Sequence, residues 1–336
     1  MNGGSPPEPL VVGAYALGEA IGVTERGAVH LARAAGLDRA AVVERVHPHL
    51  AADPQAALCI VDSARVARRI VHANVVRTLD VLHTHDGIYV VSEHIHGVPL
   101  SALTDAASAR GEAMPVGVAL AILTDVLLGL GAAHETCGDW DSLYIVHGSL
   151  SPDAILVGAD GVARVSGFGV APRGVGPYAA PEQATDGKVD RRADVYAMAT
   201  ISWELLTGQL ATLGGILERP SLHNDAVSDA IDGVVLHGLE KNPRRRFASA
   251  LHMRSALARY GTFATAGEVG RWVEQTASHV LEAHARVIAS LPLGREATGE
   301  YDEERTTAPM ASIEAGMQEI DRSPRGASDQ RFFMGM

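Results

Sequence analysis

Residues 146–171, VHGSLSPDAILVGADGVARVSGFGVA, set two small loops on either side of a short apolar hairpin. His147-Gly148-Ser149 and Ser166-Gly167-Phe168-Gly169 fall where catalytic groups are expected, yet neither loop contains a carboxylate to move a proton or hold a hard cation. His94 and His96, two apart, would share one face of a strand and could ligate a metal, although histidines in such places are far more often simply exposed. The same holds for His83 and His85 beside the Asp86-Gly87 turn signal. Cys59 and Cys137 have no paired spacing and read as two reduced core thiols.

The elements that must position these loops follow a simple order. Residues 1–14 are rich in Pro and Gly and read as a disordered tail. From Tyr15 to Glu93 the pattern is short Val/Ile/Leu-rich strands, interrupted by one helical stretch, DPQAALCIVDSARVARRIVH, with apolar residues three and four apart. From Leu100 onward helices dominate, over about 101–109, 115–135, 190–207, 225–239 and 247–259, with the hairpin at 154–165 embedded among them. This predicts a β-rich lobe at 15–97, a helical lobe at 98–259 and a helical extension at 260–293. Along 268–291, Val269, Trp272, Val273, Val280, Val287 and Leu291 form one stripe, which either packs on the main domain or serves as a dimerisation or partner helix. Residues 294–336 are polar and acidic and read as a disordered tail, ending in Arg331-Phe332-Phe333-Met334 as either a docking motif or a loose end.

The chain has 336 residues, 47% hydrophobic and 20% charged, enough to bury a large core. A net charge of −12 argues against nucleic-acid or anionic-membrane partners. The N-terminus lacks a basic, then apolar, leader pattern, and the apolar run from Val116 to Ala133 carries Thr124, Asp125 and several glycines. That run reads as a buried helix rather than a membrane span, and the expected setting is cytoplasmic.

On this lobe order the motifs resemble the eukaryotic-like serine/threonine protein kinases of bacteria, over roughly residues 15–259. Gly22, Gly27 and Val29 match the glycine-rich nucleotide loop, with Thr24 replacing its middle glycine. HANVV at 72–76 is similar to the family's segment after the first helix, and YVVSEHIHGVPL to its hinge, with Ser92 as gatekeeper before Glu93. VHGSLSPDAILV resembles the catalytic loop, SGFG the Asp-Phe-Gly segment, PYAAPEQ the Ala-Pro-Glu segment, DRRADVYAMATISWELLTG the large-lobe helix and NPRRRF the last signature. The resemblance implies an α+β, bilobal protein-kinase-like fold.

For function, the resemblance implies a list of groups that hold and neutralise phosphates. Glu44 falls at the strand lysine that grips them, and no lysine precedes Lys188 anywhere in the chain. Arg45 is adjacent, but consecutive strand residues face opposite sides. A like-charge contact between Glu44 and phosphate at ~4 Å costs roughly 4 kcal/mol at an effective dielectric of about 20. Ser63 falls at the helix glutamate, Gly148 and Ser149 at the arginine and base aspartate, Ala154 at the metal-binding asparagine and Gly167 at the metal-binding aspartate. Asp153 and Asp160 read as loop and turn residues rather than substitutes. VAPRGVGPYA, after Gly169, is a short activation segment with Tyr178 its only hydroxyl.

The scaffold positions are filled instead: Glu182 and Arg246 match a buried ion pair, Asp194 the aspartate that holds the catalytic loop, and His147 and Phe168 the hydrophobic spine. The expectation is a pseudokinase that binds other proteins through the 268–291 helix or the tail, with no cofactor beyond weak, metal-independent nucleotide binding in a remnant pocket of Gly22, Gly27, Val29, Ser92 and Glu93. The alternatives are a divergent active kinase and a ligand sensor using that pocket.

Overall fold

The computed structural model describes residues 10–24, 26–34, 40–136, 145–168, 176–184, 189–211 and 218–291. Six antiparallel strands build the first lobe: β1 (Leu10–Val12), β2 (Tyr15–Val23), β3 (Gly27–Ala34), β4 (Ala40–Val46), β5 (Thr78–Thr84) and β6 (Gly87–Glu93), in the order β1-β2-β3-β4-β6-β5. Alternation sets its faces. Ala41 and Val43 of β4 join Leu17, Ala32, Tyr89 and Val91 in one apolar cluster, while Glu44 faces the other side. The Asp86-Gly87 signal makes the β5–β6 turn, where Gly87 has φ +137°.

Two helices, α1 (Pro48–Ala52) and α2 (Pro54–Ala67), follow β4. The second starts where it does because Asp53 accepts the Gln55 and Ala56 amides and Pro54 needs no partner for a missing N–H. Its buried residues, Ala57, Ile60, Val61, Ala64 and Ala67, repeat at three- and four-residue intervals, as the sequence pattern predicts.

The second lobe centres on α4 (Val116–His134) and α5 (Arg192–Thr207), with α3 (Leu100–Ala109), α6 (Asp229–Gly238) and α7 (Ala250–Tyr260) around them. Leu120, Ile122, Leu123, Val126, Leu127 and Leu130 of α4 are all buried, so this helix is the lobe's core. It is also the one described helix long and apolar enough to cross a membrane by length and composition. A small sheet of β7 (Gly97–Pro99), β8 (Ile155–Gly158) and β9 (Ala163–Val165) carries the catalytic-type loops.

Two features differ from expectation, and a third concerns the last helix. Residues 10–12, assigned to a disordered tail, form β1, because Val12 pairs with Tyr15 across a tight turn and is buried. The lobe boundary placed after residue 97 cuts β7, whose Gly97 pairs with Gly158 of the second lobe. The helix expected at 268–291 is α8 (Ala266–Ser290), kinked at Ala277; Val269 and Val273 of its stripe are buried in the core of its own domain and Trp272 and Val280 pack half-buried against them, one of the two arrangements the stripe allowed. The tail from residue 294 lies outside the described residues.

Candidate functional site

The loop joining β2 to β3 is tied down by its own chemistry. Thr24 donates its amide to the Gly27 carbonyl at 2.8 Å, and its hydroxyl accepts the Arg26 and Gly27 amides at 3.2 and 3.1 Å. A Cβ on Gly27 would lie 1.9 Å from the Arg45 carbonyl oxygen, so close strand packing alone demands glycine there. Around Gly22 there is open space.

Register places Glu44 directly opposite Val29 on one side and Val90 on the other. Glu44 is buried, and its side chain binds the loop itself. Arg26 Nη2 lies 2.6 Å from Glu44 Oε2, and the Thr24 hydroxyl donates to Oε1. The neighbouring Arg45 is exposed and points to the opposite face, 6.0 Å from the Tyr89 ring. Ser63 stands partly buried on α2. At the hinge, Ser92 pairs with Val42 and Thr78, and Glu93 turns back so that its carboxylate accepts the Arg77 amide at 2.9 Å.

Across the cleft, Asp194 organises the first small loop. One carboxylate oxygen accepts the Gly148 amide at 2.8 Å; the other accepts the His147 amide and His134 Nε2–H, each at 2.8 Å. Burial alone would raise this carboxyl, but the His134 hydrogen bond and the two histidines outweigh it and hold it below the usual range. His147 is buried, which lowers its own pKa. One tautomer then accounts for both contacts: Nε2–H donates to the Ser166 carbonyl at 2.8 Å and Nδ1 accepts the Ser149 amide at 3.4 Å. Phe168 packs on this ring with centroids 4.9 Å apart.

Gly148 and Gly167 take left-handed φ values of +73° and +79°, which shape the two loops. Ala154 contributes only backbone, its carbonyl accepting the Ser166 amide and hydroxyl at 2.8 and 3.1 Å. The carboxylates nearby are engaged elsewhere. Asp153 accepts the Ser101 hydroxyl at 2.5 Å, and Asp160 pairs with Arg164 at 2.6 Å. Among the described residues no group of three or more His, Cys, Asp or Glu is placed to hold a metal ion, the two histidine pairs included.

The expected scaffold contacts form. Arg246 meets Glu182 through both oxygens, at 2.6 and 2.7 Å, and spends its remaining N–H groups on the carbonyls of Arg192, Glu240 and Lys241. Its guanidinium also lies 4.9 Å from the Tyr196 ring centroid. Tyr178, near the end of the activation segment, donates to Glu204 at 2.9 Å, a link that sequence reasoning missed. Most of that segment, Gly169 included, lies outside the described residues.

Comparison with known proteins places this arrangement. The chain is similar to the serine/threonine-protein kinase PksC of Streptomyces coelicolor, 30% identical over 281 residues that cover 74% of this chain and 49% of PksC. It is also similar to the serine/threonine-protein kinase PknB of Mycobacterium leprae, 29% identical over 73% of this chain and 42% of PknB. It therefore spans about half the length, or less, of these relatives. The crystal structure of the Mycobacterium tuberculosis PknI kinase domain superposes with a TM-score of 0.65 over 76% of this chain and 100% of that one, at 23% identity, a likeness of fold. The protein kinase domain model matches residues 15–225, and with the two lobes and their ordered loops the chain belongs to the protein kinase domain family.

Proposed function

We propose that this kinase-fold domain is a non-catalytic signalling module, a pseudokinase that works by binding other proteins. The observation that carries this is the Glu44 contact: at the position of the phosphate-gripping lysine, a buried carboxylate is bound by Arg26 and Thr24 of the nucleotide loop. A loop closed on its own anion offers that cation to no phosphate. The residues present do not fit the magnesium–nucleotide complex implied by the family, because Ala154 and Gly167 supply no side-chain oxygen for a hard cation. Ser149 supplies no carboxylate base. A cytoplasmic setting fits the free thiol of Cys59.

A second reading, a divergent active serine/threonine kinase, is favoured by the names of the relatives and by the ordered loop around His147 and Asp194. Thermal shift with ATP, with and without magnesium or manganese, decides between them, run beside a labelled-phosphate transfer assay. The proposal expects no metal-dependent stabilisation and no transfer. Ligand at 100 times its Kd would add about 2.7 kcal/mol, so metal-dependent binding would be plain and would overturn it. Stabilisation by ATP without metal, and no transfer, would favour the remnant pocket as a sensor.

A further inference from the structure

We propose that α8 is a brace between the lobes, fixing the width of the cleft from outside the hinge, whether or not the cleft is catalytic. Its first turn is secured by a capping box, with Thr265 and Glu268 each satisfying the other's backbone amide. That end is seated on the β8–β9 turn of the second lobe. A Cβ on Gly161 would lie 1.8 Å from the Ala266 carbonyl oxygen, and one on Gly270 would lie 2.4 Å from that of Ala159. Backbone here meets backbone.

At Ala277 the helix kinks, with φ −132°, and the residues just before it are bonded from outside the helix. Arg110, at the end of α3, donates to the Gln275 and Thr276 carbonyls and to the Thr276 hydroxyl, each at 3.2 Å. The bend is therefore held from the second lobe. Beyond it the helix passes the hinge, where His284 comes within electrostatic range of His94 and His96. It ends on the first lobe. A Cβ on Gly18 of β2 would lie 2.9 Å from Leu291 Cδ2 and 3.5 Å from Val287 Cγ1, and Leu291 is buried. One helix is thus packed at its start on the second lobe and at its end on the first. A change in lobe separation has to slide or unseat one end.

The test uses the full chain with Cys59→Ser and Cys137→Ser, spin-labelled through Val23→Cys and Leu222→Cys, which are exposed positions on the two lobes. The expected result is one narrow distance distribution, broadened when Val287→Asp and Leu291→Asp are added. Amide exchange in β2 and β3 should rise about tenfold in that variant while α5 and α7 stay protected. An unchanged distribution overturns the proposal, and so does an equal rise in exchange across both lobes, which would make α8 ordinary core. Should the double variant fail to fold, Gly18→Val wedges the same contact from the other side: broadening supports the brace and an unchanged width sinks it.

Discussion

Arg26 and Glu44 form an ion pair 2.6 Å long between the nucleotide-loop turn and the adjoining strand, with side chains only 17% and 9% exposed. The pair joins the two places where the chain departs from the kinase pattern on this sheet, since Thr24 shares the same carboxylate. The strand carries the anion and the loop supplies the cation, so loop and strand are joined by an internal ion pair.

Breaking that pair from either side should cost similar amounts. Arg26→Ala and Glu44→Ala each leave a partly buried charge without its partner, worth about 1–3 kcal/mol. Because both remove one interaction, the double variant should cost well under the sum. Urea unfolding of the four proteins measures the coupling. Full additivity would mean that the pair contributes nothing.

Arg246→Lys should be far from conservative. The guanidinium uses five N–H groups on Glu182 and three carbonyls with its side chain 0% exposed, and an ammonium can reproduce neither the fork nor the count. A loss of about 3 kcal/mol is expected, within the range for breaking a buried pair. Thermal unfolding checks it, and a change within error would show that the ion pair is dispensable.

Both pairs show how far the sequence could be read. The Glu182–Arg246 contact was legible, since each residue sits inside a motif whose order and spacing place it. Glu44 was legible as a misfit, but its partner was not, because Arg26 reaches it only through the turn that Thr24 builds. Two misfits, Thr24 in the β2–β3 loop and Glu44 on β4, were the available signal. β1 was hidden by its length of three residues and by the Pro- and Gly-rich flank before it. The route of α8 was hidden for another reason: an apolar stripe records that a helix packs, not what it packs on.

Asp194→Asn should keep the side chain's shape and lose much of its hold on the loop. The carboxylate accepts two amides and a histidine N–H while 1% exposed, and an amide nitrogen in place of one oxygen would face a donor. About 2–4 kcal/mol of stability should go, with faster amide exchange at Gly148 and Ser149. The pKa of Asp194 is depressed, so in the parent this stabilisation is present above the unfolded carboxyl value and is lost as pH falls through the folded one. The variant should lack that acid limb.

The histidines between hinge and α8 predict a separate limb at milder acidity. Burial first, then His284 and His96, lower His94 from 6.5 to about 4, and burial and His96 lower His284 as well. A histidine that stays neutral when folded binds its proton more readily when unfolded, so protonation favours unfolding. Stability is full above pH 6.5 and should fall as pH drops from there through about 4. His94→Gln removes the group with the largest shift and should flatten this part of the profile while leaving stability at neutral pH much the same. Guanidinium unfolding at intervals between pH 4 and 7 measures both proteins. Parallel curves would mean that the histidine does not titrate in contact with the brace.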